Sequence, residues 1–149
     1  MIAIAPYVPG DEAALKIQAA QLQQPSHPIA ILSERGYAWT ARSAGQVLGI
    51  GGFVVNHVDY VTAWASFADG KGTAMIPIAR AMAREIAAAA NHYARVDLIV
   101  VADFQPGHFL ALALGMTPEA TLRHAGENGE DMVLWTKIGP HRDSAIEGE

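Results

Sequence analysis

The stretch Trp64-Ala-Ser-Phe-Ala-Asp-Gly-Lys-Gly-Thr-Ala-Met75 decides how this chain is read. Tyr60–Phe67 has the alternating, half-apolar pattern of a strand, which runs into Gly70 and Gly72; from Ala74 the pattern turns helical. A strand, a glycine-rich turn and a helix start together make a ready anion site. The turn leaves backbone N–H groups unpaired, the helix N-terminus adds its positive dipole end, and glycine lets a ligand come close to the backbone. A phosphate-bearing ligand at Gly70–Ala74, with Lys71 or Thr73 assisting, is the first expectation. The other reading is a plain strand-to-helix turn with Thr73 as N-cap.

Downstream, Ala74–His92 is alanine-rich, and Met75, Ile78, Met82 and Ile86 recur at helical spacing, the stripe of a core-facing helix. Pro77 falls in its first turn, where the missing N–H costs nothing. Val96–Ala102 reads as a continuous β-branched run and hence a buried central strand. Pro106–Leu114 is a second helix ended by Gly115, and Glu119–His124 with Met132–Ile138 flank Gly126–Glu130 as a terminal hairpin.

Upstream, Tyr37–Arg42, Val47–Asn56 and Tyr60–Phe67 are strands joined by turns at Ser43–Gln46 and Asn56–Asp59. Gly49, Gly51 and Gly52 inside the middle strand point to a bulge or a close backbone approach. Ile2–Tyr7 is a first strand. Asp11 is placed to N-cap a helix over Glu12–Leu22, which the prolines at 25 and 28 end, and Pro28–Arg35 fits a short helix or an extended loop. The order β-α-(α)-β-β-β-α-β-α-β-β describes a mixed α/β sandwich around one central sheet.

Composition bounds the function classes. The 149 residues suit one domain, expected over residues 1–139 with a polar tail at 140–149. A 51% hydrophobic fraction with 17% charged residues argues for a packed globule, and a net charge of −5 argues against nucleic acid or an anionic membrane as partner. The absence of cysteine excludes disulfides and thiolate zinc sites and suits a cytoplasmic protein. The first residues read as a strand rather than a signal peptide, and the apolar runs are far short of a membrane span. The six histidines lack His-x-x-x-His spacing, so no metal site is expected, and Ser43 and Ser66 lack a nucleophile elbow.

With the glycine turn between the fourth strand and the long helix, this order resembles the GNAT acetyltransferase superfamily over Ile2–Ile138. The family's pyrophosphate segment, Gln/Arg-x-x-Gly-x-Gly/Ala, is matched by Gly72 and Ala74, with Asp69 at its first position. Ala111-Leu-Ala-Leu-Gly115-Met116 is similar to the family's helix-then-Gly turn, with Ala111 where a Tyr is often found. Leu122–Trp135 is similar to its last hairpin. With Trp64 in the fourth strand and Asp103-Phe104 after the fifth, the chain looks most like GNAT-like proteins of tailed bacteriophages and prophages.

The resemblance implies a GNAT acyl-CoA N-acyltransferase fold, with a mixed, mostly antiparallel sheet of six to seven strands flanked by helices. It implies acetyl-CoA as cofactor, held at Gly70, Lys71, Gly72, Thr73 and Ala74, and an amine acceptor. Backbone donors at Ala63, Trp64 and Ala65 would polarise the thioester carbonyl where a splayed strand exposes them. Asp59, His57 and His108 are the candidate proton-transfer groups, each with a plainer reading as a turn, loop or helix-start residue. Tyr60 and Tyr37 could be acids but read better as half-buried packing residues, and His92 suits its helix's C-terminal dipole. A homodimer is compatible with the family's habits. The alternative, suggested by Asp69 and Ala111, is a catalytically silent GNAT fold serving phage structure, assembly or host binding.

Overall fold

The computed structural model describes residues 2–14, 34, 36–68 and 74–139. Among these residues the elements are β1 (Ala3–Pro6), a 3-10 turn (Asp11–Ala14), β2 (Gly36–Ser43), β3 (Gln46–His57), β4 (Tyr60–Phe67), α1 (Met75–His92), β5 (Arg95–Val101), α2 (Gln105–Ala113), β6 (Thr117–Leu122) and β7 (Met132–Ile138). One seven-stranded sheet runs β1-β2-β3-β4-β5-β7-β6. Its pairs are antiparallel except β4 with β5, which run parallel because α1 carries the chain back across the sheet.

The hairpin turns follow from local chemistry. Between β2 and β3, Ala44 (φ 50°) and Gly45 (φ 78°) supply the two left-handed residues of a tight turn whose twist matches the strands. The glycines of β3 have separate reasons. A side chain at Gly52 would put its Cβ 2.2 Å from the Tyr37 carbonyl oxygen. Register shifts where Ala41 pairs with Gly49 but Arg42 with Val47, so Leu48 is the extra residue of a bulge.

Register sorts the side chains onto two faces. On the helix-covered face, Phe53, Val61, Ala63, Val96, Leu98 and Val100 meet Ile86, Ala89 and Ala90 of α1 and Ala111 of α2 in the main core. Met82 and Leu110 join a second cluster with Ala41, Phe67 and Ile78, so both helices cover the same face. The opposite face carries Thr40, Ile50, Trp64, Thr62 and Asp97.

Helix α1 realises the expected stripe, with Ile78, Ile86, Ala89 and Ala90 buried and Pro77 in the first turn. Helix α2 ends as its glycine predicts: Gly115 (φ 78°) donates to Leu112 O and Met116 donates to Ala111 O, a Schellman closure.

Two expectations need correction. Asp11 lies inside the 3-10 turn and its carboxylate accepts from Val8 N–H (3.0 Å), on the preceding segment rather than on a helix it caps. The expected helix beyond Ala14, Pro28–Arg35 apart from Glu34, and the tail at 140–149 lie outside the described residues. The run expected at Val96–Ala102 is β5, Arg95–Val101, and it is not continuously apolar: Asp97 sits in it with 2% exposure. Among the described residues no helix is long and apolar enough to cross a membrane.

Candidate functional site

The sheet opens along its parallel seam. β4 and β5 pair only from Tyr60↔Arg95 to Ala63↔Leu98. Beyond that point β4 stays paired to β3 as far as Phe67, and β5 stays paired to β7 as far as Val101. Each strand keeps its outer partner while the inner one is lost, and the two diverge. Arg95 N–H donates to Asp59 O (3.1 Å), and strand alternation then turns the N–H groups of Val61, Ala63 and Ala65 toward β5. The next rung would join Ala65 N–H to Ile99 O, but the ladder has already ended. The Ala65 N–H therefore faces the opening.

The predicted residues fall in different places around this gap. Ala63 and Ala65 stand at its β4 rim with their methyls on the helix-covered face. Trp64 points to the opposite face, where it packs with Val47, Ile50 and Ala68, and its buried indole N–H has no partner among the described residues. Phe67 packs with Ala41 and Ile78. Neither cluster includes a residue of β5.

Ala74 precedes α1 in helical conformation (φ −59°, ψ −21°); α1 has no acidic residue in its first turn and, among the described residues, no side-chain cap. The positive end of the α1 dipole is thus not countered from within the helix. Gly70, Lys71, Gly72, Thr73 and Asp69 lie outside the described residues.

His57 and Asp59 sit at the closed end of the seam. The His57 ring accepts from Asp59 N–H at Nδ1 (3.1 Å) and lies edge-on to Tyr60 at 5.6 Å. From Asp59 to Ala65 the strand rises roughly 20 Å, so these two residues stand a strand's length from the opening. His108, by contrast, is close to the end of β5. Trp135 donates its indole N–H to His108 Nδ1 (3.1 Å), and His108 Nε2 is 2.7 Å from Ala102 O. Because the indole can only donate, Nδ1 is the acceptor and Nε2–H donates to the carbonyl. Both ring nitrogens are engaged, and the histidine ties α2 to β5 and β7.

A charged network missed by the sequence reading occupies the other face. Asp97 lies 2.7 Å from Arg95 Nε and accepts from Tyr60 Oη at 2.5 Å, while Arg95 also reaches Glu119 on β6. Burial, and then the Asp97 bond, push the Tyr60 phenol above its ordinary value. The signal was available: Arg95 and Asp97 are two apart on a strand, hence on one face, and an acid inside a β-branched run needs a partner. Nearer the N-terminus, Thr40 Oγ1 (2.7 Å) and Arg42 (2.5 Å) both donate to Asp11. Burial raises the Asp11 carboxyl, but the bonds from Thr40, Val8 and Arg42 outweigh it and hold the group below its ordinary value. Burial and the bond to Glu12 push Tyr7 up to about 12. Among the described residues no group of three His, Asp or Glu side chains could hold a metal ion.

This architecture is the GNAT acyl-CoA N-acyltransferase fold. Ard1 from Thermoplasma volcanium superposes with a TM-score of 0.77 at 15% identity, covering 92% of this chain and 97% of that one. IAA acetyltransferase from Bacillus cereus ATCC 14579 does so at 0.72 and 13%, covering 93% and 99%. A GNAT family acetyltransferase from Elizabethkingia anophelis, solved with acetyl-CoA bound, gives 0.67 and 18%, covering 92% and 97%. No protein-family model and no curated protein sequence matches the chain.

Proposed function

We propose that the protein is an acetyl-CoA-dependent N-acetyltransferase, of phage or prophage origin, acting on a small-molecule amine or a protein lysine or N-terminus. The observation that carries this reading is the parted β4–β5 seam with the Ala65 N–H turned into it. That N–H is placed to bond a thioester carbonyl oxygen and to strengthen as the oxygen gains charge. The start of α1, with the Gly70–Ala74 turn, serves the pyrophosphate.

In the transfer, the amine nitrogen attacks the thioester carbon, the C–N bond forms, the C–S bond breaks and its electron pair leaves on sulfur. The proton lost by nitrogen ends on the thiolate, giving an amide and free CoA. His57 and Asp59 stand far along β4 and His108 has both nitrogens bonded, so positioning and backbone polarisation carry the rate, with solvent relaying the proton. The acceptor approaches from the face opposite the helices. A homodimer, if formed, would pair through an exposed sheet edge.

The second reading is a catalytically silent fold with a structural, assembly or host-binding role. It draws on Ala111, which is fully buried against the core and offers no acidic group to a leaving thiolate. Against it stands the packing of Trp64 and Phe67 away from β5 among the described residues, which a pantetheine arm in the seam requires. Calorimetric titration with CoA and acetyl-CoA separates the two. Binding at micromolar concentration is expected, and no heat at millimolar ligand would overturn the enzyme reading.

A further inference from the structure

Under α1, on the helix-covered face of β2–β4, lies a cavity of about 330 Å³. The space is a cleft that opens to solvent beside Arg84 and Glu85 and runs in beneath α1, where a core-facing helix would otherwise pack closely on the sheet, so its size needs a reason. The sequence supplies the cause of the space: Gly49 and Gly51 on β3, Ala41 on β2 and Ala81 on α1 all face it where larger core side chains could stand. Gly49 has a packing duty, since its Cβ would lie 2.9 Å from the Phe67 ring. Gly51 has less of one: its Cβ would be 3.1 Å from Trp64 O and 3.6 Å from the Ala65 methyl. The walls are Trp39, Phe53, Ile78 and Met82, and the exposed Arg84 and Glu85 also line it.

The position of the cavity relates it to the seam. Ala63 and Ala65 line it through their methyls, and the same two residues form the β4 rim of the opening. Ala65 thus presents its N–H to the seam and its methyl to the apolar space. We infer that the cavity receives the acyl chain of acyl-CoA donors longer than acetyl, so that medium-chain acyl groups are transferred as well as acetyl. This rests on the acyltransferase reading above and names its donor. The Ala65 N–H holds the carbonyl, and the chain passes over Ala63 and Ala65 toward Trp39 and Met82. An apolar cavity of roughly 150 Å³ accommodates benzene, so this one has room for roughly six to ten carbons. The bonds made and broken are those of the acetyl case, with the longer acyl group ending on the acceptor nitrogen.

Titration of the full chain with CoA, acetyl-CoA, butanoyl-CoA, hexanoyl-CoA and octanoyl-CoA tests this. Each fully buried methylene contributes a factor of roughly four, so octanoyl-CoA is expected to bind at least tenfold more tightly than acetyl-CoA. Ala81→Leu fills the cavity from a helix position where leucine is well tolerated. It should abolish that gain while leaving acetyl-CoA within twofold, and Ala41→Val should reduce the gain from the strand side. An octanoyl-CoA affinity no better than that of acetyl-CoA would overturn the inference alone, as would a gradient that survives both substitutions. Failure of every CoA species, free CoA included, would overturn the acyltransferase reading and the inference with it.

Discussion

Removing the Asp97 carboxylate is the sharpest test of how the two halves of the sheet are held at the seam. The group is 2% exposed, lies 2.7 Å from Arg95 Nε and accepts the Tyr60 hydroxyl at 2.5 Å. Breaking a buried ion pair by deleting one partner costs about 3–5 kcal/mol. Here Arg95 keeps Glu119 and its side chain remains 27% exposed, which moves the expectation for Asp97→Ala to the lower end. The expected loss is about 3 kcal/mol, or roughly 6–12 °C in melting temperature for a chain of this size. Tyr60→Phe removes a hydrogen bond to a charged acceptor and should cost about 1.5 kcal/mol or more. Because both changes delete the same contact, the double variant should fall short of the sum by about 1–2 kcal/mol. Urea unfolding followed by tryptophan fluorescence and circular dichroism supplies the four free energies. A loss below about 0.5 kcal/mol for Asp97→Ala, or additive single changes, would refute the argument that this carboxylate joins β4 to β5.

The remaining expectations are independent of that site. His108→Phe should cost about 1–3 kcal/mol in urea unfolding by leaving the buried Trp135 N–H without an acceptor; unchanged stability would refute the tie between α2 and the sheet. Asp11 has a lowered carboxyl in the fold, so its contribution is present above the unfolded value and is lost as pH falls through the lowered one. The stability gap between the parent and Asp11→Asn should accordingly be constant near neutrality and close below pH ~4, as read from denaturation at stepped pH. Gly52→Ala should cost about 3 kcal/mol, because its Cβ meets the Tyr37 carbonyl and Ala38 Cα, both backbone. Gly45→Ala, with open space around it, should cost only about 1 kcal/mol for its positive φ; equal losses would contradict the distinction.

Local pattern carried most of the fold. Tyr60–Phe67 is a strand with the expected bounds and α1 begins one residue from its expected start, because alternation and a helical stripe bounded by glycine are strong short-range signals. What local pattern leaves open is long-range or single-residue. Val96–Ala102 reads as apolar because one acid among β-branched neighbours is averaged away, although its spacing from Arg95 marks a paired charge. His57 and Asp59 were placed at the head of the correct strand, but which end of that strand opens depends on where β4 and β5 stop pairing. His108 acquires its two bonds from Ala102 and from Trp135, 27 positions later, and no local pattern anticipates the second. Asp69–Thr73, in the turn between β4 and α1, lies outside the described residues, so its part in the site rests on the sequence.

The short parallel seam has a consequence for how the molecule assembles. On one side β1–β4 are joined antiparallel, with hairpins between β2, β3 and β4; on the other, β5–β7 form a second antiparallel unit. Hairpin contacts close small loops, whereas the seam closes only after the whole crossover through α1 has been ordered. The two units are thus the natural early folding elements, and their junction forms late. Relative to the hydrogen-bonded amides of the inner β3–β4 rungs, hydrogen exchange should be faster at the amides of Val61, Ala63 and Asp97, whose N–H groups cross that junction. A ligand lodged between the strands would act as a rivet there, and its signature would be slowed exchange at those amides before any change elsewhere.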